Sequence, residues 1–231
     1  MTRLSVCIPT YDMHGEGATL LARSFDMLSR QTFKDFDVVV TDNSENDFIR
    51  NLCGNENYKS LQIHYYKNPR KGMAHNTNEA IMKATGELIK ILYQDDFLAD
   101  EHSLEKTVQN FTDHWLVSAC KSDKKTWRTW LRGATHFPRY TDTIRFGKNT
   151  IGSPSVLTIK NEDPLLFDET MTWMLDCDYY VRLYQKYGAP TVLNEATVII
   201  GVGKHQTTNH LADAIKQGEY EYMVKKHGPR T

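Results

Sequence analysis

Short, almost uninterrupted apolar runs alternate with segments whose apolar residues recur at helical spacing, and this alternation limits the available folds more than any other feature. LQIHYYK (61–67) reads as a strand, and LSVCIP (4–9), FDVVVTD (36–42) and ELIKILY (87–93) lack the in-and-out pattern of a strand wetted on one face. These last three read as strands buried on both faces. Between them, ATLLARSFDMLSRQ (18–31) places Leu20, Leu21, Phe25 and Leu28 on one helical face, a short helix is expected near 46–53, and GMAHNTNEAIMKAT (72–85) reads as a helix closed by Gly86. Repetition of this kind builds an α/β fold around a mostly parallel sheet. Ligands of such sheets collect beyond the carboxyl ends of the strands, which puts Thr10, Tyr11, Asp42, Asp95 and Asp96 on one rim.

The second half is less regular. A helix (101–114) and a strand WLVSACK (115–121) precede a strand SVLTIK (155–160), a helix LDCDYYVRLYQKYG (175–188), a strand pair TVLN and ATVIIGV (191–194 and 196–202), and a polar helix from about 209. No repeat or low-complexity linker interrupts the 231 residues, and 40% hydrophobic content can bury one substantial core, so a single domain is expected. The basic, aromatic stretch 121–148 carries Lys124, Lys125, Trp127, Arg128, Trp130, Arg132, Arg139 and Arg145. It reads either as a lip over a bound acceptor or as a solvated insertion with its tryptophans turned inward.

Twenty-eight Lys and Arg against 29 Asp and Glu leave a formal charge of -1, and no global field favours nucleic acid. The four cysteines have no CxxC spacing and read as reduced thiols, in keeping with a cytoplasmic protein. The opening MTRLSVCIPTYD suits a strand better than a signal peptide, and no run approaches the roughly 20 apolar residues of a membrane span. Peripheral attachment to the inner face of a membrane and assembly as a homo-oligomer both stay open.

The chemistry concentrates in ILYQDDFL (91–98), where a buried strand gives way to adjacent carboxylates that oppose one another's ionisation. Asp95 and Asp96 could simply be a solvated loop. They also suit a hard divalent cation, Mg²⁺ or Mn²⁺, whose oxygen ligands leave positions for substrate phosphates. No GxxxxGK[ST], GxGxxG, HExxH or GxSxG motif is present.

The ordered blocks SVCIPTYD, QTFKDFDVVVTDNSEND, NPRKGMAHNTNEAIMKATGELIKILYQDDFL, IGSPSVLTIK and FDETMTWMLDCDYYVRL resemble glycosyltransferase family 2. The resemblance implies a GT-A fold, a Rossmann-like, mostly parallel sheet with a mixed acceptor-side half in one domain. The nucleotide-binding half would span 1–98, the acceptor-side half 99–208 and a C-terminal helix 209–231. It implies inverting transfer of a sugar from a uridine or thymidine diphosphate sugar to a hydroxyl of a saccharide or lipid-linked acceptor, assisted by Mn²⁺ or Mg²⁺. Pro9, Thr10, Tyr11, Asp42, Lys71, Asn76 and Asp95 would then bind the nucleotide. Asp95 and His205 would hold the metal, Asp96, Ser153, Pro154 and Trp173 would face donor or acceptor, and Asp176 would be the general base.

Three positions depart from the family pattern. Tyr93 stands where the first metal-motif acid is usual and Leu175 where a Glu usually precedes the base. His75 replaces a common Arg, with Arg70 or Lys71 nearby to supply the charge. These departures keep in view a degenerate sugar- or nucleotide-binding domain without catalysis, and acids at the ends of Rossmann-like strands keep in view a sugar nucleotidyltransferase.

Overall fold

The computed structural model describes residues 2–123, 135–203 and 211–229. Its centre is a nine-stranded sheet. Strands β1 (Leu4–Thr10), β2 (Phe36–Asp42), β3 (Ile63–Lys67) and β4 (Leu88–Ile91) are mutually parallel in the order β3-β2-β1-β4. Every residue of β1, β2 and β4 is buried, which is why these strands read as continuous apolar runs. Helices α1 (Gly17–Ser29), α2 (Phe48–Cys53) and α3 (Met73–Lys83) accompany them. Helix α1 buries Leu21, Phe25 and Leu28 at intervals of one and two turns, while Leu20 lies half-buried at the margin.

The sheet changes direction beyond β4. Strand β8 (Leu157–Lys160) lies antiparallel to β4, and β6 (Trp115–Ser122) is antiparallel to β8 but parallel to β9 (Thr191–Ile200). Two-residue β5 (Phe97–Leu98) closes the far edge against β9, and β7 (Thr135–His136) pairs with β6. Helix α4 (Ser103–Asn110) lies against β9. Helix α5 (Leu175–Tyr187) buries Tyr179, Tyr180, Val181 and Leu183, with Tyr180 stacked against Trp115 and Tyr179 against Phe167. Helix α6 (Asp213–His227) follows.

Several expectations shift. The expected strand pair 191–194 and 196–202 is one strand, β9, which passes exposed Asn194 and Glu195 with register shifts opposite Ser118 to Cys120. Gly86 does not close α3, which stops at Lys83. A side chain at Gly86 would place its Cβ 2.6 Å from the Ser5 nitrogen, and both backbone N–H groups at 85 and 86 donate to Ser5 Oγ. The glycine is there for close approach to β1, not for helix termination. Cys7, Cys120 and Cys177 are buried and unpaired, as the cysteine spacing suggests.

Candidate functional site

A cleft of about 980 Å³ opens over the carboxyl ends of β1 and β4 and extends to the start of α5. Pro9, Thr10 and Tyr11, at the end of β1, line one wall. The Tyr11 N–H donates to Gln94 Oε1 (2.9 Å), and Gln94 Nε2 donates to the Gly17 carbonyl (2.7 Å). Buried Gln94 therefore fixes the β1 exit loop to the acidic turn. Its type and position, a single amide wedged between an apolar strand and two acids, were the only signals for it in the sequence.

Asn76 borders the cleft, but its amide is used to knit the strands together. It donates to the carbonyls of Thr10 (3.0 Å) and Thr41 (3.1 Å) and accepts from Asn68 (3.0 Å). Asp42 is fully buried and is not part of the cleft lining. One carboxylate oxygen accepts from the Ser44 N–H (2.8 Å), the other from the Tyr65 hydroxyl (2.8 Å) and Lys67 (3.4 Å). Lys67 also donates to the Ser44 and Asn46 carbonyls, so this cluster shapes the 43–46 turn that does line the cleft.

Lys71 reaches the cleft from the loop before α3 and is ion-paired with Glu45 on the facing wall. Arg70 and His75 are directed elsewhere. Arg70 pairs with Glu169 (2.7 Å), and His75 contacts the same carboxylate (3.2 Å), so both brace the 168–174 segment.

The two central acids have distinct environments. Asp95 borders the cleft, and its charge, after burial, raises the Tyr11 phenol pKa. Asp96 is 2% exposed, with one oxygen accepting from the Gly201 N–H (2.8 Å) and the other from Ser153 Oγ (3.1 Å). Burial, and then the charge of Asp95, raise its pKa. Beneath it lies Lys90, 1% exposed, donating to the carbonyls of Ser155 and Leu157; burial pulls its pKa down to about 7. Tyr93, at the site of the missing acid, borders the cleft, and burial raises its phenol so that it stays neutral.

Asp176 sits in the first turn of α5, at the other end of the cleft. Asn149 Nδ2 donates to its Oδ2 (2.6 Å) and the Cys177 N–H to its Oδ1 (2.7 Å). Enclosure by protein raises its pKa, and these bonds partly offset that rise. Ser153, Pro154 and Trp173 complete the wall between the two acidic ends. Asp178, two residues further along α5 and on the opposite face, is fully buried, ion-paired with Arg182 and Lys226 and hydrogen-bonded to His227, and stays out of the cleft.

His205 and the residues from Lys124 to Arg132 lie outside the described residues. Of the remaining basic residues of that stretch, Arg145 is committed to Asp142 (2.6 Å) and the His227 carbonyl (3.0 Å), so it supports α6. Among the described residues no group of three or more His, Cys, Asp and Glu side chains is arranged to hold a metal, and no helix is long and apolar enough to cross a membrane.

Known proteins share this architecture. TarS 1–349 of S. aureus, solved in complex with UDP-GlcNAc, superposes with a TM-score of 0.71 at 18% identity over 97% of this chain and 65% of that one. The mannosyltransferase PcManGT of Pyrobaculum calidifontis, solved with GDP-Man and Mn²⁺, gives 0.66 at 17% identity over 100% of this chain and 66% of that one. At these identities the likeness is one of fold, an α/β single domain of the GT-A type. By sequence, the GalNAc(5)-diNAcBac-PP-undecaprenol beta-1,3-glucosyltransferase of Campylobacter jejuni is 29% identical over 100 residues, 42% of this chain and 31% of that protein. The chain thus matches about a third of this curated relative and about two thirds of the solved structures. The family model described as glycosyl transferase family 2 matches residues 5–160, well over half of the sequence, and the chain belongs to that family.

Proposed function

We propose that the protein is an inverting glycosyltransferase that moves a sugar from a uridine or thymidine diphosphate sugar to a hydroxyl of a saccharide or lipid-linked acceptor. The observation that carries this reading is the placement of Asp176, held by Asn149 and its own helix N-terminus, in the same cleft as the strand-end carboxylate Asp95. Residues 1–98 are assigned to the nucleotide and 99–208 to the acceptor. Nucleoside contacts fall to Pro9, Thr10 and Tyr11, where the Tyr11 ring, 38% exposed, offers a stacking face. Asp42 and Asn76 act on the nucleoside by shaping the 43–46 turn and the end of β1. Lys71 is the cation for the diphosphate, exchanging Glu45 for phosphate oxygens.

Chemically, a single displacement needs a base on one face of the anomeric carbon and the leaving nucleotide on the other. Asp176 takes the acceptor hydroxyl proton as the acceptor oxygen forms its bond to that carbon. The bond from the carbon to the diphosphate oxygen breaks, and its electron pair leaves with the nucleotide. Trp173, Ser153 and Pro154 flank this region and are assigned to the sugar and acceptor; Asp96 holds Ser153 in place.

The donor set fits a hard divalent ion only sparsely. Asp95, in the turn after β4, is the assigned ligand, with His205 as a second candidate; Asp96 is engaged by Gly201 and Ser153, and Tyr93 is neutral. One carboxylate plus substrate phosphates is a recurrent arrangement for Mg²⁺. When bound, such an ion stabilises the charge of the departing diphosphate. The Mn²⁺ in the PcManGT complex, the UDP-GlcNAc in the TarS complex and the PP-undecaprenol acceptor in the relative's name support the metal, the donor class and a lipid-linked acceptor, respectively. Family membership weighs against the nucleotidyltransferase reading.

In thermal-shift titrations, Asp95→Ala is expected to weaken UDP binding in the presence of Mn²⁺ by at least about tenfold, the equivalent of about 1.4 kcal/mol. Without Mn²⁺, wild type and variant should bind alike. Equal Mn²⁺ enhancement in both proteins would remove Asp95 as the ligand. A second expectation concerns pH. The base works ionised and its pKa is raised, so transfer should fall on acidification at a pH above the ordinary aspartate range. Measuring kcat from pH 4 to 8, about four units around that range, would locate the limb.

A further inference from the structure

The segment that delivers Trp173 and Asp176 to the cleft has no regular secondary structure of its own before α5 begins, yet the N–H groups of its last three residues are satisfied. The carboxylate that satisfies them comes from α6, beyond residue 160 where the family match ends. Glu219 Oε1 accepts from the N–H groups of Thr172 (2.7 Å) and Trp173 (3.2 Å), and Oε2 from those of Trp173 (2.9 Å) and Met174 (2.8 Å). Glu219 is 8% exposed. Met174 is the residue immediately before α5, so the carboxylate closes the entrance of that helix, where unsatisfied N–H groups and the positive end of the helix dipole both favour an anion.

A second attachment lies further along the same two helices. Asp178 of α5 accepts from His227 Nε2 (2.8 Å) and is paired with Lys226 (2.8 Å), both from the last turn of α6. Lys226 and Tyr222 also reach Asp168 (2.6 and 2.8 Å). The 168–178 segment is thereby pinned to α6 on both sides of Asp176.

We infer that Glu219 is a positioning residue for transfer: by gripping the backbone of 172–174 it sets where Trp173 and the Asp176 carboxylate stand in the cleft. The inference rests on Asp176 being the base. It differs from a purely structural role because the atoms held are two to four residues from the proposed base and far from the nucleoside wall in chain and topology. Loss of the grip should therefore damage the chemical step without damaging nucleotide binding.

Glu219→Gln keeps one acceptor oxygen and replaces the other with an NH2 that cannot accept, so either Thr172 or Met174 loses its partner; Glu219→Ala removes both. Because a displacement of order 1 Å can cost about 10²-fold in rate, kcat is expected to fall by about tenfold in the Gln variant and by up to about 10²-fold in the Ala variant. The affinity for UDP, measured by calorimetry, should stay at the wild-type value. Amide exchange followed by mass spectrometry should show lost protection in the peptide spanning 170–176. The Gln variant carries the test if the Ala variant does not fold. Wild-type kcat in Glu219→Gln, or kcat and UDP affinity falling together, overturns the inference. Asp176→Asn runs in the same assay: if it is inactive while Glu219→Gln is fully active, the positioning role alone fails, whereas retained transfer in Asp176→Asn removes the base and this inference with it.

Discussion

Asp176→Asn is expected to lower sugar transfer by about 10² to 10⁴, the usual contribution of a positioned general base, while leaving UDP affinity unchanged. The substitution is nearly isosteric, and an Asn carbonyl can still accept from Asn149 or from the Cys177 N–H, the two donors that hold the native carboxylate. What it cannot do is take a proton from a hydroxyl. A fall in kcat with an unchanged UDP titration therefore separates the base from a nucleotide contact. If the variant transfers sugar at the wild-type rate, Asp176 is not the base; if it loses UDP binding as well, the residue belongs to the donor site.

The second large effect falls on stability. Asp178→Ala is expected to cost roughly 3–5 kcal/mol, because deleting one partner of a buried ion cluster leaves the others uncompensated. Against a total stability of about 5–15 kcal/mol this is a major share. His227 is the partner most affected, since its ring is 3% exposed and its Nε2 lies 2.8 Å from Asp178, whereas Lys226 and Arg182 keep some access to water. Denaturant unfolding should show a lower midpoint with an unchanged slope. An unmoved midpoint would mean that the cluster is energetically neutral.

The same cluster has a defined pH dependence. Burial alone would raise the Asp178 pKa, but the bonds from His227, Lys226 and Arg182 outweigh it and hold the pKa below the ordinary value. A carboxylate depressed in the folded state binds fewer protons than the unfolded chain. Its contribution is thus complete above the unfolded pKa and is lost as pH falls through the folded one. Acid unfolding of the wild type should include this loss, and Asp178→Ala should lack it.

How much of this was legible in the sequence varied with the range of the interactions. Strands β1, β2 and β4 stood out because burial on both faces leaves no polar alternation to confuse the pattern. Strand β5 has two residues and no periodicity to detect. Strand β9 was read as two because Asn194 and Glu195 are exposed, yet the backbone pairs on through an irregular register. In the cleft, Tyr11, Asp95 and Asp176 could be placed because a strand end or helix start fixes each one locally. The partners of Asp96, Asp42 and Glu219 could not, since Gly201, Tyr65 and Thr172 reach them through tertiary contacts that no local pattern encodes.

The reversal of strand direction at β4 also bears on how the chain can be divided. β4 receives β1 on one side and β8 on the other, so the boundary near residue 98 proposed above falls at no gap in the sheet. A fragment ending there would leave the β4 backbone as an open hydrogen-bonding edge carrying Leu88, Ile89 and Ile91, side chains that are all buried in the intact protein. Such an edge is a template for intermolecular strand pairing. Residues on both sides of that boundary share one sheet, and β8 covers the β4 edge that a fragment would expose to self-association.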